Sequence, residues 1–331
     1  MNNNLLSVTS DLSFLRGDLE KLEKFLKDFS KSLEGILSKT VRSTLTAGGK
    51  RIRPSLFLIC AKNKKYDIDY LLPAAASIEI IHTASLIHDD IIDKSILRRG
   101  KNTIHYTYSK DTAKFVGDYL FTYTFSLLNG YSNSRILEEM SNAAQLLVKG
   151  EFDQLKTKKN FYQDEKVYFD KIYEKTSSLF KVSCALGGIL SESSEEDIEN
   201  MKKFGEYIGI SFQINDDLID VFINGSSVGV GKPIGNDLKQ GNITLPFIYG
   251  FRDPEFKAVI KPFLKKDSYS EKEIEKMLHY LAKTDALKKT REKVYYYLSK
   301  AKEIAELISG EERRLGLKKV CESILQMTSL F

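Results

Sequence analysis

An all-α, single-domain protein is what this sequence predicts, on three observations. Apolar residues recur three and four positions apart throughout the 331 residues, as in DLEKLEKFLKDF and ENMKKFGEYIGISFQINDDLIDVF, which is the period of one helix face. Alternating, strand-like runs are nearly absent. No stretch is long enough and simple enough in composition to serve as an interdomain linker, so residues 1–331 are expected to form one domain.

Taken in order, the periodic runs predict helices near residues 11–45, 54–64, 70–96, 110–129, 133–158, 165–190, 194–223, 242–251, 254–263, 270–308 and 310–328, with a break in the tenth near Thr284. The first is separated from the second by Gly48-Gly49, and Pro54 suits the first turn of the second. Gly100 follows the third, and Gly130 with Asn133 separates the fourth from the fifth. The polar SESSEED segment divides the sixth from the seventh, and the glycine-rich stretch from Asn224 to Gly241 follows the seventh. The remaining helices rest on periodicity alone.

With 42% hydrophobic residues the chain can bury a sizeable core. Its 50 basic and 45 acidic residues leave a net charge of +5, which suits anionic ligands such as diphosphates and falls far short of a dedicated nucleic-acid binder. The lysine clusters KNKK (62–65), KTKK (156–159) and LKKD (264–267) read as solvated surface. Cys60, Cys184 and Cys321 follow neither a disulfide-framework nor a zinc-site spacing and suggest a reducing compartment. The start, MNNNLLSVTSDLSF, lacks the features of a signal peptide, and no run of about 18 apolar residues occurs. A soluble cytoplasmic protein is expected.

The chemistry concentrates in a repeated motif. DDIID at 89–93 recurs as DDLID at 216–220, each late in a long apolar helix and each followed by a basic, glycine-containing loop. Residues four apart share a helix face, so Asp89 sits beside Asp93 and Asp216 beside Asp220, with Asp90 and Asp217 flanking them. Carboxylates without Cys or His point to magnesium, which keeps several waters and takes the rest of its ligands from substrate phosphates. A single such motif could be a solvated acidic helix end; a second copy, with apolar flanks and basic residues near both, argues for two claws around a diphosphate. Cations for that anion stand in GGKRIRP (48–54), RRGK (98–101), KT (175–176) and GKPIGNDLK (231–239).

GGKRIRP, HTASLIHDDIIDKSILRRG, GDYLF, GEFDQL, EKTSSLF, FQINDDLID and GKPIGNDLKQGNITLP occur in the order found in the trans-type polyprenyl diphosphate synthases, and the chain resembles that family from Gly48 to Pro246. The resemblance implies a helical bundle of the isoprenoid synthase type around a deep central cavity, as a homodimer. It implies a head-to-tail condensation of isopentenyl diphosphate with an allylic diphosphate, dependent on magnesium. By the same resemblance the metal is held by Asp89, Asp90, Asp93, Asp216 and Asp220, with Asp217 supporting the second claw. Arg98, Lys175 and Lys232 face the departing diphosphate, and Lys50, Arg53, His82 and Arg99 face isopentenyl diphosphate. Thr176 and Gln213 match positions that orient the reacting region, while His88 is read as structural. Asn242, in GNIT, stands where many relatives have lysine; INGSSVGVG adds a glycine-rich turn, and the terminal QMTSLF lacks a closing basic residue.

Relatives that stop at farnesyl or geranylgeranyl products commonly carry an aromatic ring four or five residues before the first claw. Here those positions are Ser85 and Ala84, so a tunnel along this helix and the helix bearing Phe115 and Tyr119 is expected to admit a product longer than geranylgeranyl. A product of that size is expected to pass to membrane enzymes. The alternatives are a geranylgeranyl or farnesyl diphosphate synthase, a class I terpene cyclase, whose second metal site is normally an Asn/Ser/Glu pattern rather than DDLID, and a subunit of a heteromeric synthase.

Overall fold

The computed structural model describes residues 12–222, 235–266 and 268–329. The first predicted helix is two: α1 (Arg16–Ser32) and α2 (Gly35–Leu45). They part because Leu33 and Glu34 are extended and Gly35 takes a left-handed φ of 59°. After α3 (Ile52–Ala61), α4 runs over Ile68–Ile92, capped by Asp67, whose side chain accepts from the Asp69 N–H. It stops earlier than its apolar pattern suggests. A two-stranded antiparallel hairpin, β1 (Leu97–Arg98) with β2 (Lys101–Asn102), follows it, and positive φ at Lys94, Arg99 and Gly100 turns the chain there.

A short α5 (Ile104–Thr107), missed by periodicity because it is a single turn, leads to α6 (Lys110–Leu128) and α7 (Ser134–Lys156). Beyond α8 (Glu165–Ile172) the helix widens into a π segment, Tyr173–Ser177, and resumes as α9 (Ser178–Leu190). Next come α10 (Glu195–Val221), α11 (Asn236–Gln240), α12 (Leu245–Gly250), α13 (Pro254–Ile260), α14 (Glu271–Leu281), α15 (Ala286–Leu307) and α16 (Glu311–Thr328). The break expected near Thr284 falls between α14 and α15.

Two long helices organise the bundle. The middle of α4 is buried almost without interruption from Ala74 to Ser85, and it packs on α6, α3, α1 and α9. By length and composition α4 could cross a membrane, with a mean hydropathy of 1.4, yet the surrounding helices bury most of it. The other long helix, α10, packs on α9, α15 and the π segment. An ion pair inside the core ties the chain to α4. Arg51, 6% exposed, bonds Glu79 of α4, Glu23 of α1 and the Leu45 carbonyl, so this arginine of the GGKRIRP run is spent on anchoring the loop that carries Lys50 and Arg53.

Candidate active site

The C-terminal ends of α4 and α10 carry the two aspartate motifs, and their neighbourhoods differ in kind. In the first, Asp89 lies 3.4 Å from the Lys175 ammonium, Asp90 accepts from Arg98 Nε at 2.7 Å, and Asp93 lies 3.4 Å from Lys158. Burial pushes the Asp90 carboxyl up to about 6, against the pull of Arg98. Asp90 turns away from the other two: with Thr83, Leu86 and Ile87 it lines a small side cleft closed by Arg98, Thr103 and His105.

In the second motif only Asp216 is exposed. Asp217 is 2% exposed and both its oxygens are taken, by the Tyr168 hydroxyl at 2.6 Å and by Gln213 Nε2 at 2.9 Å; burial pushes its carboxyl up to about 7. Asp220 accepts the Asn236 and Asp237 N–H groups at 3.1 and 3.0 Å, capping the turn that follows the glycine-rich loop.

Between the claws stands the π segment. Both faces of it are approached by glycines: a Cβ on Gly150 of α7 would come within 2.7 Å of the Lys175 nitrogen, and one on Gly209 of α10 within 2.6 Å of Ser177 Cα. The extra residue of a π turn and these two close approaches turn Lys175 and Thr176 inward together. Lys175 bridges Asp89 and Glu151, the latter at 2.5 Å. Burial alone would depress its ammonium, but the carboxylates of Asp89 and Glu151 outweigh it and hold the group charged. Thr176 donates to Gln213 Oε1 at 2.8 Å.

The basic residues gather beside α4. Arg53 lies over the Phe180 ring at 4.4 Å with one guanidinium nitrogen 3.2 Å from His82 Nε2, and its own Nε has no hydrogen-bond partner among the described residues. Burial lowers Arg53 to about 10. Burial, then the charges of Arg53 and Arg99, hold His82 well below its ordinary range, so its imidazole is neutral. Arg99 donates to the Gly48 carbonyl, closing the hairpin onto the loop that carries Lys50, and the Lys50 ammonium lies 3.3 Å from Met327 Sδ. This is a cluster of cations, Arg53 half-buried and Lys50 and Arg99 exposed, beside an aromatic ring and a neutral imidazole, the chemistry of an anion site.

Not every expectation survives. Of KTKK, read as solvated surface, Lys158 reaches Asp93, because the α7–α8 loop folds back over the mouth of the site. Phe115 does not line a tunnel. It is 67% exposed, since α6 turns Ala113, Val116, Gly117 and Leu120 toward the core, whereas Tyr119 is half-buried and stacks toward Tyr123 and Phe29. Ala84 and Ser85 are buried on α4, Ser85 bonding the His82 carbonyl. Asn242 donates to Gln240 at 3.3 Å, and His88 meets Asp118 at 3.2 Å. Lys232 and the loop INGSSVGVG lie outside the described residues. Glu151, Tyr168 and Lys158 went unassigned in the sequence; GEFDQL was a visible signal for the first, but nothing local marks the other two.

The family model described as Polyprenyl synthetase matches residues 34–281. The chain belongs to the polyprenyl synthetase family. It is 35% identical over 302 residues to heptaprenyl diphosphate synthase component 2 of Geobacillus stearothermophilus, covering 91% of this chain and 93% of that one. It is 34% identical over 224 residues to the octaprenyl diphosphate synthase of Escherichia coli (strain K12), covering 67% and 69%. Among solved structures it is similar to the polyprenyl synthase of Caulobacter crescentus complexed with calcium and isoprenyl diphosphate, with a TM-score of 0.89, 26% identity and coverage of 97% and 98%.

As a polyprenyl synthase the chain is a prenyltransferase of all-α fold. Its donor set suits the hard divalent cations such enzymes use: the polar groups at the claws are carboxylate oxygens, and ammonium groups already lie against Asp89 and Asp93. Among the described residues no three His, Cys, Asp or Glu side chains converge into a metal site of their own.

Proposed function

We propose that this polyprenyl synthase condenses isopentenyl diphosphate with an allylic diphosphate, repeatedly and with magnesium, to a linear product longer than geranylgeranyl. The observation that carries this reading is the separation of charge across the head of the bundle. Carboxylates stand at the ends of α4 and α10, while Arg53, Arg99, Lys50 and neutral His82 gather beside the first of them. Two diphosphates need two such environments, one served by metal and one by protein cations.

Magnesium, when bound, supplies positive charge to the allylic diphosphate as its carbon–oxygen bond breaks. Asp89, Asp93, Asp216 and Asp220 would hold it, with Asp90 behind Asp89 keeping Arg98 in place. Lys175, charged and fixed between Asp89 and Glu151, neutralises the departing diphosphate. Lys50, Arg53 and Arg99 hold isopentenyl diphosphate so that its double bond faces the cation, and neutral His82 donates a hydrogen bond without adding charge. Thr176 and Gln213 border the reacting carbons. After carbon–carbon bond formation the released diphosphate takes the proton.

Beneath the first claw, Ala84 and Ser85 leave the wall of α4 without an aromatic stop, and each added prenyl unit buried along it gains roughly 25 cal/mol per Å². Incubating the purified chain with magnesium, isopentenyl diphosphate and farnesyl diphosphate, both in excess, should give products longer than geranylgeranyl on chromatography, and Ala84→Phe should shorten them. Mainly farnesyl or geranylgeranyl diphosphate from the unmodified chain would sink the length assignment.

A homodimer in the cytoplasm is our reading of the assembly, supported by exposed Phe115 and Phe152 on neighbouring helices. A second reading has an observation of its own: a relative covering nearly the whole chain is named component 2, so this chain would be the catalytic half of a two-component enzyme. Activity of the purified chain alone supports the first; activity only after a second protein is added supports the second.

A further inference from the structure

Tyr168 belongs to no motif, yet it is 1% exposed and its hydroxyl ends a continuous chain of hydrogen bonds that reaches the reacting region. Tyr168 on α8 donates to Asp217 Oδ2 at 2.6 Å; Gln213 Nε2 donates to Asp217 Oδ1 at 2.9 Å; Thr176 Oγ1 on the π segment donates to Gln213 Oε1 at 2.8 Å. The geometry gives each link its sense: the Tyr168 phenol donates its single proton to one oxygen and the Gln213 NH2 donates to the other, so Asp217 accepts at both. Gln213 must therefore turn its NH2 to Asp217 and its carbonyl to Thr176, which commits the single threonine proton away from the cavity.

We propose that Tyr168 is a positioning residue: through Asp217 and Gln213 it sets the direction of the Thr176 hydroxyl so that an oxygen lone pair, not a proton, faces the allylic carbon as positive charge develops there. A dipole fixed with its negative end toward a nascent cation stabilises the transition state without reorganising at the moment of reaction. A threonine free to rotate would instead offer its proton to the nearby diphosphate oxygens and lose that orientation part of the time. Because Tyr168 and Gln213 occupy both oxygens of Asp217, the second aspartate of the DDLID motif works inside the protein and leaves Asp216 to face solvent.

The inference rests on the proposed placing of Thr176 at the reacting carbons, and a double-mutant cycle separates the two. Steady-state kinetics are measured for the full chain, Tyr168→Phe, Thr176→Val and the double variant, with magnesium, farnesyl diphosphate and isopentenyl diphosphate. Tyr168→Phe should lower kcat by about tenfold while both Michaelis constants and the magnesium requirement stay within about twofold; in the Thr176→Val background the same change should alter kcat by less than about twofold. If Thr176→Val leaves kcat unchanged, the placing of Thr176 is wrong and the relay with it. If Thr176→Val is slow but Tyr168→Phe multiplies a further tenfold on top, Tyr168 acts through packing and only the relay is overturned. Asp217→Asn covers a Tyr168→Phe chain that does not fold. Nearly identical in shape, it must accept from Tyr168 and present its own NH2 to Gln213, which keeps the first link and reverses the other two. A kcat reduced about tenfold or more supports the relay, and an unchanged kcat overturns it.

Discussion

The two DDxxD motifs share spacing and helix position but are held by opposite means. Around the first, Asp89, Asp90 and Asp93 each meet a cation: Lys175, Arg98 and Lys158. Around the second, the hydrogen bonds come from neutral donors, the Tyr168 hydroxyl, the Gln213 amide and two backbone N–H groups of α11, with the Lys171 charge acting on Asp217 from further off. The first claw is therefore close to charge balance, and on the proposed function its side chains would trade partners to admit a metal and a diphosphate. The second is held in place by hydrogen bonds to groups that do not leave, so it is the more rigid of the two. A repeated motif need not be a repeated device.

The largest effect should come from removing the first aspartate of each claw. Asp89→Ala and Asp216→Ala are each expected to lower turnover by about a thousandfold or more with unchanged far-UV circular dichroism; near-normal turnover in one of them would show that only the other claw binds metal. Lys175→Met tests the cation-balanced claw. It leaves buried Glu151 facing Asp89, so turnover should fall about a hundredfold and urea unfolding should show a loss of about 3 kcal/mol. An equally stable variant would mean that the ion pair is not what holds this claw.

The hydrogen-bonded claw is sharpened by pH. The folded-state carboxyl of Asp217 is raised from its ordinary 3.8 to about 7, so its contribution to stability is fully present below about pH 4 and is lost as pH rises through 7. In metal-free protein, unfolding free energy should decline between pH 4 and 8 by up to about 4 kcal/mol more in the unmodified chain than in Asp217→Asn. The same comparison for Asp90→Asn, raised only to about 6, should give a smaller difference, concentrated below pH 7. Parallel pH profiles for Asp217→Asn and the unmodified chain would erase the distinction between the claws. Smallest of all, Asp220→Ala removes the cap on α11 and should cost about 1 kcal/mol in thermal or urea unfolding, with a several-fold rise in the Michaelis constant of the allylic substrate. No change in either would leave Asp220 without its capping role.

Much of the site was legible because helix geometry is local: four-residue spacing alone puts Asp89 with Asp93, and the apolar face running into them marks a buried approach. What was not legible depends on rotation and long-range return. Phe115 shares a helix with core residues, but only the contact between α6 and α4 decides that it points outward. Lys158 looks like any surface lysine until the α7–α8 loop brings it to Asp93, 65 residues earlier in the chain.

By itself, then, the sequence determined the all-α class, the two aspartate motifs at helix ends, the basic residues near both and the small residues Ala84 and Ser85, because each is carried by residue type and by a spacing shorter than two helical turns. Only the tertiary structure decided which aspartates face solvent and which are tied inside, that Arg51 pairs with Glu79 while Arg53 lies over the Phe180 ring beside His82, and that Tyr168 reaches Thr176 through two intervening side chains. Those outcomes turn on which groups separated by 28 to 49 residues share a buried, low-dielectric space, and burial is what gives a hydrogen bond or an ion pair its strength and its direction.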